Sequence, residues 1–276
     1  MKPAPFDYVA ARSLDEALAL LADFGGDAKL LAGGQSLIPV LNFRLAQPAK
    51  LIDLNRVPDL DFVRAQPDGS LRLGALVRHR RLERDPVIAR HAPLVHETAP
   101  HIAHPQIRNR GTLGGSLAHA DPAADWPLVM AAWGASVEIA GEQGIRRVAA
   151  DVFMSGAYVT ALGEGEMLAA VHLPRLSHQA RWAYRKFCRK PGEFAEAAAA
   201  VLFDPGRHVA RVFIGTPAGR PTSLPDLAAD IARRGRAALS ADAIAEACEP
   251  ALAEVPLARR QACHVMLQRA LEEVLS

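Results

Sequence analysis

Two short stretches, LLAGGQSLIP at 30–39 and GTLGGSLAHADP at 111–122, hold the residues of this chain best suited to chemistry. Each runs from an apolar approach into a Gly-Gly pair and then a serine, directly in Gly114-Gly115-Ser116 and after Gln35 in Gly33-Gly34-Gln35-Ser36. Glycine tolerates positive φ and lets backbone N–H groups converge with no side chain in the way, which is how a loop cradles a phosphate. A pyrophosphate held so takes several charge-assisted hydrogen bonds, each worth roughly 1.5–3 kcal/mol. Two such segments can hold one dinucleotide. A Gly-Gly pair is also an ordinary tight turn, so residue types and spacing leave both readings open. No GxGxxG follows a strand and no GxxxxGK[ST] occurs, so neither a Rossmann domain nor a P-loop is signalled.

The second stretch lies in a slim region, HPQIRNRGTLGGSLAHADPAADWP at 104–127, where Ser116, Ala118, Ala120, Ala123 and Ala124 keep the surroundings of the glycines small. Something bulky is expected against that backbone. His104 and His119 read as ordinary hydrogen-bonding residues, because no His/Cys/Asp spacing typical of zinc accompanies them. Cys188, Cys248 and Cys263 form no CxxC pair and cannot supply the four ligands of an iron–sulfur cluster.

These segments must be positioned by the elements around them. Ser13 with Glu16 three residues on is a capping box, and Leu14, Leu18, Leu21 and Phe24 give 14–24 a helical apolar face that Gly25 and Gly26 end. Strands are expected at AKLLAGG (28–34) and KLIDL (50–54), and a hairpin at 60–76 around Pro67-Asp68-Gly69. A helix is expected over 86–103, another over 125–134, then strand, turn and strand over 135–150 and a strand over 166–174. After Pro174 come three strand-like runs, 180–187, 195–203 and 208–215, with a turn at Asp204-Pro205-Gly206; the alanine-rich middle run is also compatible with helix. Helices are expected at about 224–235, 240–248 and 256–274.

The 276 residues, half of them apolar, suffice for one large domain or two to three small ones with a buried core. Net charge is only +2, with the basic residues interleaved with acids, which argues against a nucleic-acid surface. Asp7, Asp15 and Glu16 interrupt the N-terminus where a signal peptide needs an apolar core, and no run approaches eighteen apolar residues. A cytoplasmic protein without a membrane span is the expectation.

Together, AGGQSLIPVLNFRL, LIDLNRV, HPQIRNRGTLGGSLAHADPAADWP and YRKFCRKPGEFA closely resemble the FAD-binding medium subunit of the molybdenum hydroxylases, the family of xanthine dehydrogenase and carbon monoxide dehydrogenase. The resemblance runs in order across nearly the whole chain. It implies an α+β fold: an FAD-binding domain of the p-cresol methylhydroxylase or vanillyl-alcohol-oxidase type, made of two α+β subdomains (1–57 and 58–177). A C-terminal domain of three antiparallel strands and helices (178–276) follows. It implies noncovalent FAD, with Lys29 and Leu31 leading into the first segment and Ala32, Gly33, Gly34, Gln35, Ser36 and Leu37 wrapping the cofactor. Asn109 with Thr112, Gly114, Gly115 and Ser116 would act from the second, through backbone amides and hydroxyls on the pyrophosphate and ribityl chain. Gln35 stands where some members carry histidine.

The resemblance also places Asp121 and Asp125 near sugar and ribityl hydroxyls, the backbone of Leu168 against the flavin ring, and Lys186 close to the ring, where a cation favours negative charge on it. Asp125 is equally readable as the N-cap of the helix that follows, and Tyr184 as either a ring neighbour or core. Arg108 and Arg110 are open between cofactor, partner and solvent. The implied function is electron transfer: a molybdenum cofactor on a large partner, [2Fe–2S] clusters on a small partner and FAD here, in a dimer of heterotrimers. Two alternatives are a stand-alone flavin oxidase or dehydrogenase of the same fold, and a non-enzymatic assembly protein whose glycine segments are simple turns.

Overall fold

The computed structural model describes residues 1–276. The chain opens with a small unit in which β1 (Asp7–Ala10), β2 (Ala28–Leu31) and β3 (Lys50–Asp53) form a parallel sheet in the order β1-β3-β2, with α1 (Leu14–Phe24) packed on it and α2 (Leu37–Asn42) following the first glycine pair. The Ser13 hydroxyl accepts from the Glu16 amide at 3.1 Å, and the Glu16 carboxylate reaches back to the Arg12 amide at 2.7 Å. Gly25 ends α1 at φ +48°, as the capping signals require.

Next come β4 (Val63–Ala65), β5 (Leu71–Gly74), α3 (His79–Arg84), α4 (Pro86–His91), α5 (Pro93–Thr98), α6 (Pro105–Arg108), α7 (Leu113–His119), α8 (Asp125–Trp133), β6 (Ser136–Gly141) and β7 (Gly144–Ala149). They are followed by α9 (Ala150–Phe153), β8 (Met154–Gly156), β9 (Val159–Thr160) and β10 (Met167–Leu173). Five of these strands make an antiparallel sheet in the order β4-β5-β10-β6-β7, while β8 and β9 form a small ribbon. The single helix expected over 86–103 is instead α4, α5 and a 3₁₀ turn, because Pro93 and Pro100 remove amides and force a fresh start each time. All nine residues of α8 are buried, and that helix packs on the third sheet.

That third sheet joins β11 (Arg181–Phe187), β12 (Ala197–Asp204) and β13 (Val209–Gly215), antiparallel and in order, with the two-residue β14 (Thr222–Ser223) as a fourth edge strand beyond the three expected. The alanine-rich run is strand β12, buried along its whole length between α8 and α12. Small side chains let helices approach both its faces. Helices α10 (Pro225–Arg234), α11 (Ala241–Leu252) and α12 (Leu257–Val274) complete the chain and share a core with this sheet. No helix is long and apolar enough to cross a membrane.

Candidate functional site

The first glycine pair sits where β2 ends and the chain must turn into α2. Gly34 adopts φ +73°, and Gly33 is buried with its α-carbon so close to the other segment that a Cβ there would lie 2.4 Å from the Arg110 carbonyl oxygen. The two glycine segments therefore touch, and glycine is what lets them.

The hydrogen bonds of this turn are one-sided. The Leu31 carbonyl accepts from the Leu54 amide at 3.0 Å, the Ala32 carbonyl from Asn55 Nδ2 at 2.9 Å, the Gly33 carbonyl from Gln35 Nε2 at 3.1 Å and the Gly34 carbonyl from the Ile38 amide at 3.0 Å. None of the six consecutive amides of residues 32–37 donates to anything in the chain. With the carbonyls held by the protein, the amides form a row of open donors, the arrangement that binds an anion. The Ser36 hydroxyl beside them makes no hydrogen bond and does not cap α2.

The second segment is built otherwise. The sequence pattern predicts a loop with open amides; the structure has a helix. Thr112 is its N-cap, accepting from the Gly115 amide at 3.0 Å. The Leu113 amide donates to the Val77 carbonyl, that of Gly114 to Ala75 and that of Ser116 to Thr112. A Cβ on Gly114 would lie 2.7 Å from the Ala75 carbonyl oxygen, so this glycine is a spacer that brings α7 onto the chain leaving β5. Only the Thr112 amide and the Ser116 hydroxyl remain without a partner here. Of residues 112–116, expected to wrap the cofactor with amides and hydroxyls, the amides of 113–116 are used within the chain, two by Val77 and Ala75 and two by the Thr112 cap.

Behind the contact between the segments lies a polar network that the sequence pattern did not reveal. Asn55 Nδ2 also donates to Asp53 Oδ1, while Arg78 donates through Nη1 to the Arg110 carbonyl and through Nη2 to Asn55 Oδ1. Burial alone pushes the Asp53 carboxyl up, but hydrogen bonds from Tyr8 and Asn55, with the Arg110 charge, outweigh it and hold it below the ordinary carboxylate range. Burial lowers the Arg78 pKa, and the charge of Arg110 lowers it further.

His79 follows Arg78 and is buried against Gly111, with its ring edge-on to Trp126 at 5.8 Å between centroids. Neither of its ring nitrogens has a hydrogen-bond partner, and burial pushes its pKa down to about 4. Arg108 is removed from the open candidates: it is buried, bonded to Glu83 at 3.0 Å and to the carbonyls of Ile102 and Ala103 at 2.9 Å.

A second cluster joins α8 to β11. Asp125 and Lys186 form a buried ion pair, Nζ to Oδ1 3.0 Å, and Tyr184 donates its hydroxyl to the same carboxylate oxygen. Lys186 also donates to the His101 carbonyl at 3.2 Å. Burial, then the Asp125 charge, drives the Tyr184 phenol well above its ordinary value, so it stays a donor. Asp125 is not an N-cap: Ala124 holds that position without a side-chain bond, and the carboxylate turns to β11 instead.

The remaining predicted residues are scattered around these two centres. Leu168 is buried on β10, one residue before a register shift, with no β5 partner beside it because that pairing begins at Ala170. Helix α7 packs on this strand. Asp121 accepts from the Ala123 amide at 2.9 Å and fixes the turn before α8. Asn109 is exposed at the end of α6. Lys29 is exposed early in β2, and Leu31 ends that strand with a methyl group beside Gly34.

Residues 4–176 match the family described as the FAD binding domain in molybdopterin dehydrogenase. Among similar proteins, the 6-hydroxypseudooxynicotine dehydrogenase complex subunit alpha of Paenarthrobacter nicotinovorans is 46% identical over 202 residues, covering 73% of this chain and 68% of that one. The carbon monoxide dehydrogenase medium chain of Hydrogenophaga pseudoflava is 39% identical over 258 residues, covering 91% and 90%. A solved structure of carbon monoxide dehydrogenase from that organism, lacking the Mo-pyranopterin moiety of the molybdenum cofactor, superposes with a TM-score of 0.90 at 35% identity, covering 99% of this chain and 98% of that one.

Proposed function

This chain belongs to the family of FAD-binding medium subunits of the molybdenum hydroxylases, and from that membership we propose how its residues hold the cofactor and what the assembly does with it. One observation carries the reading: six consecutive amides, 32–37, open and unpartnered beside a glycine pair with no room for side chains. A diphosphate needs just such a concentration of donors, and the cradle fits it.

Within that reading the amides of Ala32, Gly33, Gly34, Gln35, Ser36 and Leu37, with the Ser36 hydroxyl, hold the FAD diphosphate. Lys29 and Leu31 lead the strand into the turn. Asn109, the hydroxyls of Thr112 and Ser116 and the carboxylate of Asp121 take the sugar and ribityl hydroxyls, while Gly114 and Gly115 serve by keeping α7 close. The Leu168 backbone lies against the ring. Lys186 sits near it with its charge balanced by Asp125, and Tyr184 orients that carboxylate. We also read residues 1–57, 58–177 and 178–276 as three domains.

Bound FAD supplies the redox chemistry; the chain binds it, orients it and sets the charge around it. Electrons released at a molybdenum cofactor on a large subunit pass through [2Fe–2S] clusters on a small subunit, reach this chain and leave to an external acceptor. A cytoplasmic dimer of heterotrimers is the assembly this reading implies. The similar proteins are named as subunits and medium chains of dehydrogenases, so the stand-alone flavin enzyme is set aside. The test is reconstitution. Purified chain is expected to take up one FAD and, with NADH as the electron donor, to reduce artificial dyes, and to hydroxylate no organic substrate unless co-purified with large and small partners. Substrate turnover by the lone chain overturns the subunit reading; failure to bind FAD overturns the cofactor reading.

A further inference from the structure

The cradle carries more positive charge than its neighbours balance. Arg78 is half-buried and its hydrogen bonds go to two neutral acceptors, the Arg110 carbonyl and Asn55 Oδ1. The acids that act on it through space are occupied elsewhere: Asp61 pairs with Arg81 at 3.3 Å, and Asp53 takes hydrogen bonds from Tyr8 and Asn55. Arg110 lies on the segment whose backbone grips Gly33, is exposed, and makes no side-chain hydrogen bond or ion pair. The carboxylates near the two guanidinium groups are therefore already engaged. Removing a cation from water without a counter-ion is unfavourable, as for the half-buried Arg78, and the Arg78 guanidinium and the Arg110 backbone it binds adjoin the Gly33 turn, whose six open amides already favour negative charge.

We propose that Arg78 and Arg110 supply the countercharge for the FAD diphosphate, and that Arg78 also holds the two glycine segments in register through Asn55 and the Arg110 carbonyl. This rests on the cofactor reading above. Arg110 acts by charge alone, since its side chain holds nothing in the chain together. Arg78 acts by charge and as a positioning residue, because it links Asn55, which holds the Ala32 carbonyl, to the segment that packs on Gly33. Backbone amides alone give an affinity that depends little on ionic strength; full charges make it fall as salt is added.

The apo form of the full chain is titrated with FAD by fluorescence quenching at about 10 mM and about 1 M salt, Debye lengths of roughly 30 Å and 3 Å. For the wild type, Kd is expected to rise about tenfold between the two. Arg110→Gln, an exposed change that leaves the apo melting temperature alone, is expected to weaken binding about fivefold at low salt and to reduce the salt dependence. Arg78→Gln is expected to weaken it more, and the double variant to lose the salt dependence. Arg78→Lys keeps a charge but loses the two-pronged clamp, so it retains the salt dependence at a uniformly higher Kd. Wild-type salt dependence in Arg110→Gln and in the double variant overturns the proposal while the cofactor reading stands. No FAD uptake by the wild type overturns the cofactor reading itself.

Discussion

Gly33–Gly34 and Gly114–Gly115 occupy equivalent places in two similar stretches, yet the first leaves its amides open and the second folds them into a helix. At the first pair, Asn55 and Gln35 hold carbonyls and Gly34 takes a left-handed conformation, and the amides are left without partners. At the second, Thr112 caps α7, and Ala75 and Val77 accept from its opening residues. The same absence of a side chain thus serves two ends: exposing donors in one place and admitting a neighbouring backbone in the other. A Gly-Gly pair in a sequence reports missing Cβ atoms and leaves the reason to the tertiary partners.

The largest expected difference between the two regions is in their response to pH. His79 packs on the second segment and its pKa is lowered from 6.5 to about 4. Because it is depressed in the folded chain, the unfolded chain binds the proton first. This contribution is fully present above about pH 6.5 and is lost as pH falls to about 4, on the order of 3 kcal/mol in all. His79→Leu is expected to flatten the loss of denaturation midpoint across that window. An unchanged slope would show that the ring is not the group responsible.

Next in size is Gly114→Ala, whose Cβ would press on the Ala75 backbone at 2.7 Å. A loss of about 1–3 kcal/mol in apo stability is expected, read by denaturant unfolding, with at most a small loss of FAD affinity as α7 shifts in the molecules that remain folded. Comparable stability with weakened FAD binding would make the second segment a donor site after all. The smallest effect is that of Asn55→Ala. Asn55 is exposed, so the apo midpoint should barely move, but freeing the Ala32 carbonyl lets the open amides turn, and Kd for FAD should rise about tenfold, or about 1.4 kcal/mol. Equal losses of stability and affinity would erase the distinction between the segments.

Local signals accounted for much of this architecture. The Ser13–Glu16 cap and the turn at Pro67 to Gly69 rest on short-range chemistry and stand in the structure, whereas the alanine run, open between strand and helix in the sequence, is decided by α8 and α12 packing on its two faces. The breaks at Pro93 and Pro100 were equally legible, and the expected long helix ignored them. Helix α7 was harder, because two glycines in a helix oppose its formation by about 1 kcal/mol each and acceptors supplied by Ala75, Val77 and Thr112 offset that. The site divides in the same way. Its glycines could be seen in the sequence, whereas Asn55, Arg78 and His79 gain meaning only from partners 23 to 47 positions away, such as Ala32, Arg110 and Trp126.

The most direct test of the central claim is a high-resolution structure of the chain with FAD bound. The diphosphate oxygens are expected to accept from amides within residues 32–37, while the amides of Leu113, Gly114 and Ser116 keep their bonds to Val77, Ala75 and Thr112. A diphosphate seated on residues 113–116 with α7 unwound, or one lying away from Gly33 and Gly34, would contradict the account.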